Sequence, residues 1–138
     1  MIRTGFKTSK SNDLRIGKSG EEKMLQVLQH RDPTFVKSSN KFEKWDFKND
    51  SDQYWEGKTR TNAKDKYPTT YIPTHKVLEG KEQYFLFNYT DKMSFIKYDE
   101  TLFNQFDIHQ LNDRRGGYDK VVPHYCIPIS LLTDLEDA

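Results

Sequence analysis

Two carboxylates and one lysine on neighbouring extended segments are the residues of this chain best suited to chemistry. Asp46 lies on the first segment, and Glu56 and Lys58 follow on the second after nine intervening residues. Side chains alternate along a strand, so Glu56 and Lys58 share a face. Converging carboxylates can hold Mg²⁺, which lowers the pKa of a bound water and neutralises charge on a phosphodiester. A neighbouring lysine can position the attacking water and stabilise developing negative charge. The spacing therefore indicates phosphodiester hydrolysis.

Glu21 is a third candidate acid, at the start of a predicted helix. Ser19 can cap that helix, and Met24, Leu25 and Leu28 form its apolar face. At about 100° per residue, Glu21 lies within roughly 60° of these apolar positions, so it shares the buried face. A carboxylate there is costly unless it is paired or bound to a cation. The alternative is an acid satisfied by the helix dipole.

Alternation and turn-forming residues predict the elements that would position these side chains. Segments 42–48 and 53–59 predict a hairpin that carries Asp46 and Glu56 across a turn at 49–52. A loop at 60–71 and a short helix at 74–78 lead to a central strand at 84–89 with a hairpin partner at 93–98. A loop at 114–117, an edge strand at 125–129 and a final helix capped by Ser130 complete one mixed α/β domain.

The same residues resemble those of a known nuclease superfamily. Glu21 leading a helix, Trp45-Asp46-Phe47, and Trp55-Glu56-Gly57-Lys58-Thr59-Arg60 are similar to the PD-(D/E)xK pattern, most closely to its Holliday-junction resolvase-like branch. Trp45 stands where the motif's name has proline, so the match depends on geometry. The resemblance covers about residues 17–98, and the final strand and helix fit it loosely.

The resemblance implies a fold, a reaction and an assembly. The fold is a restriction-endonuclease-like αβββαβ core, a mixed central sheet flanked by helices. Residues 1–16 would form a basic N-terminal segment, 17–98 the catalytic core, and 99–138 a C-terminal strand and helix. The reaction is Mg²⁺-dependent DNA cleavage, with Mn²⁺ able to substitute. Glu21, Asp46 and Glu56 would bind or position the metal, and Lys58 would act on the water. Many members are homodimers.

Basic residues around this pattern are candidates for DNA contact. Asp65 is the one acid between positions 58 and 76, among several cations: Lys58, Arg60, Lys64, Lys66 and Lys76. Such a segment suits contacts to phosphates without base readout, and a solvated charged loop is the alternative. Arg15, Lys18 and Ser19 could add backbone contacts at the N-terminus of the predicted helix.

The net charge of +1 conceals an uneven distribution. Residues 1–98 carry 19 basic and 13 acidic side chains, a net +6, whereas residues 99–138 carry 3 basic and 8 acidic ones, a net −5. We expect the acidic excess to lie away from the site. No apolar run approaches the roughly 18 residues of a membrane helix, the N-terminal residues lack an apolar signal core, and Cys126 is the one cysteine. We therefore expect a soluble cytoplasmic protein.

Three functions remain open from the sequence. The first is a Mg²⁺-dependent DNA endonuclease that selects branched DNA structures, such as Holliday junctions. The second is a non-catalytic nucleic-acid-binding or protein-interaction domain on the same fold, and the third is a restriction-type or repair nuclease. Other features favour structural roles: His124 and Cys126 lack companion ligands, and the aromatic residues of 85–98 read as strand core.

Overall fold

The fold is a mixed α/β arrangement in which strands outnumber helices. A computed structural model describes residues 9–40, 43–113 and 120–137. Helix α1 covers Ser9–Arg31 and helix α2 covers Glu100–Phe103. The strands are β1 Val36–Lys37, β2 Phe47–Lys48, β3 Gln53–Thr59, β4 Thr69–Pro73, β5 Glu82–Asn88, β6 Met93–Lys97, β7 Asp107–Asp113, β8 Lys120–Pro128 and β9 Thr133–Asp134. Short 3₁₀ turns cover Lys64–Lys66, Thr74–Lys76, Ile129–Leu131 and Leu135–Asp137.

The strands form two sheets. The larger has six strands in the order β1-β2-β3-β5-β6-β9, and the smaller has three in the order β4-β8-β7. Only β3 and β5 pair in parallel among the described strands, and every other pair is antiparallel. The prediction of a mixed α/β domain with a mixed sheet is therefore confirmed.

Helix α1 is longer than predicted. It begins at Ser9, so Ser19 is an exposed residue inside the helix and the prediction of an N-terminal cap at Ser19 is wrong. Residues 9–19 contain no proline, so nothing in that segment prevents the helix from beginning before Ser19. Met24 and Leu28 are buried as predicted, and the helix ends before Pro33. No helix of the described residues is long and apolar enough to cross a membrane.

Strand β3 separates two apolar clusters. Trp55 packs with Met24, Leu28 and Phe47 in the cluster beneath α1. On the parallel neighbour β5, Phe85 and Phe87 are registered with Glu56 and Lys58 and belong to the other cluster, which joins the two sheets. Glu56 and Lys58 therefore share the face opposite α1, as the period of two predicts.

The crossover between the parallel strands β3 and β5 differs from the prediction. Parallel neighbours need a long connection, usually a helix. Here the connection contains strand β4 and two 3₁₀ turns, so the predicted loop at 60–71 is partly a strand and the predicted helix at 74–78 is the turn Thr74–Lys76. Pairing of β4 with β8 supplies the backbone hydrogen bonds that a helix would otherwise make internally.

The C-terminal part also differs. The hairpin of β5 and β6 is confirmed, but β8 is the central strand of the small sheet, so the edge assignment is wrong. Pro128 is tolerated because it is the last residue of β8, where the ladder ends. The predicted final helix is instead two 3₁₀ turns on either side of β9. The predicted loop at 114–117 lies outside the described residues.

Candidate active site

Two glycines allow helix α1 to lie directly on strand β3. A methyl group at Gly57 would stand 2.7 Å from Met24 Cε, and one at Gly20 would stand 2.0 Å from Thr59 Oγ1. Both positions therefore need the close backbone approach that only glycine permits. Glu21 follows Gly20, so this packing places Glu21 near the end of β3 that contains Thr59.

Backbone contacts fix Asp46 beside β3. Its N–H donates to Trp55 O at 3.0 Å, although Trp55 is the registered partner of Phe47. Two residues opposite one is the arrangement of a β-bulge, which re-aims side chains next to many functional sites. The Asp46 carboxylate accepts the Gly57 N–H at 2.8 Å. The bulge and this hydrogen bond together hold Asp46 against the Glu-x-Lys segment.

Asp46 lies in an environment unfavourable to its charge. Burial, followed by the nearby Glu56 carboxylate, raises the pKa of Asp46 to about 6. The Glu21 carboxylate also raises this pKa, whereas the Gly57 N–H and the Lys58 ammonium lower it. The charges of Glu21, Glu56 and Lys58 therefore all lie near enough to Asp46 to affect its pKa. A carboxyl group with a pKa shifted by burial and by like charges is typical of functional sites.

Glu56 is a buried carboxylate held by two lysines. Its residue is 2% exposed. Lys58 Nζ and Lys76 Nζ each lie 3.4 Å from Glu56 Oε2. Lys76 reaches this position from the 3₁₀ turn that precedes β5, and it is itself buried. Burying a carboxylate requires such pairing, because desolvation of an isolated charge costs on the order of several kcal/mol.

Glu21 lies at the rim of this group. Its carboxylate is 3.2 Å from Lys37 Nζ of β1, and 38% of its side chain is exposed. The prediction that Glu21 lies on the buried face is therefore only partly correct. Its influence on the pKa of Asp46 places it near enough to act electrostatically, and the salt bridge to Lys37 offsets its own charge.

The predicted DNA-contacting residues have varied surroundings. Lys66 is exposed, with its Nζ 5.6 Å from the Tyr67 ring centroid. Lys64 Nζ forms an ion pair with Asp134 Oδ1 at 2.5 Å, so an acid of the C-terminal part offsets the charge of this predicted DNA contact. Lys76 is paired with Glu56. Ser19 lies far along α1 from its N-terminus, so the predicted phosphate contacts at a helix start there are wrong. The side chains of Arg15 and Lys18 lie outside the described residues.

The donor set fits a hard cation held by few protein ligands. Mg²⁺ is commonly bound by one or two carboxylates and keeps several waters. Among the nearby acids Glu56 raises the pKa of Asp46 most, and a bound cation would stabilise the ionised form of both carboxylates. In the described part of the chain no group of three or more His, Cys, Asp or Glu side chains is arranged to hold an ion. Asp46 and Glu56 are therefore the residues that could hold Mg²⁺, with Glu21 in a supporting role.

A cavity of about 680 Å³ adjoins Lys58. It lies where the end of β3 faces the small sheet, and its lining includes Arg60, Tyr67, Tyr89 and His124. The sequence did not predict this cavity. The partnership of Lys76 with Glu56 was also missed, since nothing in a lysine eighteen residues beyond Lys58 signals a contact. Tyr89 is buried, as the strand-core interpretation predicts, and His124, for which a structural role was predicted, is also buried.

Comparisons of the chain with protein-family models, with curated proteins and with solved structures gave no match. The geometry of the site is therefore the basis for assigning a function.

Proposed function

We propose that this protein is a Mg²⁺-dependent DNA endonuclease of the PD-(D/E)xK type. The observation that carries the proposal is the convergence of Asp46, Glu56 and Lys58 at one end of β3, with Lys58 Nζ 3.4 Å from Glu56 Oε2 and the pKa of Asp46 raised to about 6. Burying such a group of charged side chains is energetically unfavourable, and the same side chains could assist hydrolysis of a phosphodiester. Mn²⁺ would substitute for Mg²⁺, because both accept the same carboxylate ligands.

The described side chains divide the reaction between them. Asp46 and Glu56 would hold Mg²⁺, which supplies a water of lowered pKa and neutralises charge on the phosphate. Lys58 would orient the attacking water and stabilise the negative charge on the phosphoryl oxygens. Lys76 would hold the Glu56 carboxylate in place from the opposite side, since it shares the same oxygen. Glu21 would add negative potential that favours the cation.

We further propose a restriction-endonuclease-like core. A leading helix packed on a mixed sheet supports it, as do the neighbouring strands that carry Asp46 and Glu-x-Lys and the parallel pairing of β3 with β5. The crossover through β4 is a departure from the αβββαβ pattern. Branched DNA, including Holliday junctions, is the substrate we favour, because phosphate contacts recognise backbone geometry without reading bases. A homodimer would present two such sites to a junction.

Cleavage of a DNA panel tests the proposal. Four-way junctions, flaps, nicked duplexes and linear duplexes are incubated with the wild type and with Asp46→Asn and Lys58→Ala in Mg²⁺. Lys58→Ala should lose about 10²- to 10³-fold in rate, and Asp46→Asn should lose metal-dependent cleavage altogether. Asp50→Asn, at an exposed turn acid, and Lys97→Ala, at an exposed strand lysine, are matched controls that should cut normally. Equal nicking by all five proteins would contradict an enzymatic role.

A non-catalytic DNA-binding domain is the second candidate, and one observation favours it. The charges of Asp46, Glu56, Lys58 and Lys76 already sum to zero. A balanced cluster could serve structure alone. This candidate requires salt-sensitive DNA binding that neither Mg²⁺ nor Asp46→Asn changes, together with no cleavage of any substrate in the panel. Sequence-specific or lesion-specific cutting in that panel would instead identify a restriction-type or repair nuclease.

A further inference from the structure

The cavity beside Lys58 has the size and position of a substrate subsite. Its volume of about 680 Å³ is in the range of small-molecule sites. It is enclosed from several directions by the segment after β3, by β4, and by the hairpin of β7 and β8. Lys58 belongs both to its lining and to the ion-pair cluster around Glu56. A group bound in the cavity would therefore lie next to the reacting phosphate.

Arg60 gives this cavity an anion-binding group. Its Nε and Nη2 donate to Thr70 Oγ1 at 3.3 and 3.2 Å, and Nη2 also donates to Tyr71 O at 2.7 Å. These contacts fix the guanidinium plane but bring no negative charge, and no acidic side chain of the described residues pairs with Arg60. Burial lowers the pKa of Arg60 accordingly. A phosphate at this position would offset the positive charge of the guanidinium. It would also accept hydrogen bonds from the guanidinium N–H groups that do not bind Thr70 or Tyr71.

The charges of the lining agree with this assignment. Lys58, Arg60 and Lys64 contribute positive charge, and no acid belongs to the lining among the described residues. Lys64 is compensated by Asp134, so Lys58 and Arg60 provide most of the attraction. In addition, Tyr89 Oη is buried without a hydrogen-bond partner in the described part of the chain, and its hydroxyl lies near enough to Arg60 to affect the pKa of Arg60. That oxygen has no accessible surface, so Lys58 and Arg60 remain the groups that would attract an anion into the cavity.

Aromatic side chains supply the second element of recognition. Tyr67 belongs to the lining of the cavity and is 53% exposed, so much of its ring is accessible from solvent. Tyr71 lies deeper, with its ring centroid 5.6 Å from that of His109. Exposed aromatic rings beside cations are the usual means of holding unstacked bases. Paired bases inside a duplex present no free face to such a ring.

We propose that this cavity receives one unpaired nucleotide of the DNA substrate, with its phosphate at Arg60 and its base against Tyr67. The inference rests on the proposed nuclease function. It also restricts the position of cleavage, because cleavage would then occur beside an unpaired nucleotide. Continuous duplex would bind at the surface without filling the cavity. The preference for branched DNA would follow from the unpaired nucleotides that branch points expose.

Binding without divalent ions separates this inference from catalysis. The probe is a duplex with 2-aminopurine in a one-nucleotide bulge, compared in EDTA with the same duplex carrying 2-aminopurine in a pair. We expect at least about tenfold tighter binding of the bulge and a change in 2-aminopurine emission on binding. Tyr67→Ala should remove most of the preference, since stacking contributes roughly 5- to 160-fold per base. Lys97→Ala, at an exposed lysine of β6 that does not line the cavity, should keep it. Arg60→Gln should weaken bulge binding, with Arg60→Lys intermediate.

The results distinguish the inference from the proposed function. Equal affinity for both duplexes, or a preference unchanged in Tyr67→Ala, overturns the nucleotide subsite even if Asp46-dependent cleavage is observed. A bulge preference lost in Tyr67→Ala supports the subsite even if no DNA is cut, and in that case only the nuclease function fails. Deoxyadenosine monophosphate is added as a competitor to test whether the cavity is a site for a free nucleotide. Complete displacement of the bulge by micromolar amounts of this nucleotide would indicate a free-nucleotide site and overturn the inference.

Discussion

Replacing Gly20 by alanine tests the packing that brings Glu21 to the site. The new methyl group would stand 2.0 Å from Thr59 Oγ1 and 3.1 Å from Thr59 Cβ. Threonine is stiff at its first torsion, so the strand cannot relieve this overlap by a simple rotation. Overpacking of this kind costs about 1–3 kcal/mol, and a 2.0 Å approach belongs at the upper end. Alanine returns about 1 kcal/mol of helix propensity, so we expect a net loss of about 2 kcal/mol.

A double-mutant cycle with Thr59→Ala isolates this contact. Thr59 Oγ1 is buried without a hydrogen-bond partner among the described residues, so its removal should change stability little. In that background Gly20→Ala meets only the remaining 3.1 Å approach, and the double variant should recover at least about 1 kcal/mol. Urea unfolding followed by circular dichroism measures all four proteins. Ser19→Ala, an exposed neighbour on the same helix, reports the propensity gain alone.

The reasoning fails if Gly20→Ala is as stable as Ser19→Ala, or if its cost is the same with and without Thr59. Either result would mean that α1 and β3 do not approach as closely as described. If the cycle gives the expected coupling, Gly20→Ala should also impair the DNA cleavage proposed above more than Thr59→Ala does, because α1 carries Glu21.

Three further predictions concern the charged groups. Because the pKa of Asp46 is raised to about 6, ionisation of Asp46 opposes folding, and the wild type should gain stability as pH falls from about 6 towards 3.8. Asp46→Asn should lack this pH dependence. At pH 8 it should be more stable than the wild type by at most about 3 kcal/mol in urea unfolding. Lys76→Met leaves Glu56 with a single lysine and should lower the free energy of unfolding by about 1–3 kcal/mol, with partial recovery on adding Glu56→Gln. The hydrogen bond from Lys64 holds the pKa of Asp134 at about 2, so Asp134→Asn should lower the stability of the protein at pH 6. The stability difference between wild type and variant should disappear as pH falls from 3.8 towards 2, and a difference that does not change with pH would contradict the ion pair.

The hairpin that carries Glu56 and Lys58 could be predicted because its signals are local. Asn49 accepts the N–H groups of Ser51 and Gln53, and Asp52 adopts a positive φ of 58°, both typical of the side chains that form turns. Strand alternation then placed Glu56 and Lys58 on one face without any tertiary information. Only the length of the first strand was overestimated, because a bulge at Asp46 and the short β2 end the regular pairing.

The surroundings of the hairpin depend on contacts between distant segments. Residues 69–72 are all of strand-favouring types, but prolines stand on both sides of them, and the partner strand β8 lies more than fifty residues later in the chain. Pro128 made that partner read as an edge strand, although a proline at the end of a central strand loses no interior hydrogen bond. The same separation hid the contact of Lys76 with Glu56. The side-chain periodicity of one segment cannot show which distant segment pairs with it, since each segment contributes only one side of the contact.

The two-residue strand β9 sets the charge environment of a cavity seventy residues earlier in the chain. Asp134 on β9 accepts from Ser94 Oγ at 2.6 Å and is paired with Lys64 and Lys92. Such a short strand on the rim of a sheet is among the first elements to open in local fluctuations. Each opening would release the Lys64 ammonium beside the cavity and raise the positive potential there. The attraction of the cavity for an anion is therefore coupled to the order of β9, so a change on β9 that touches no ligand could alter affinity.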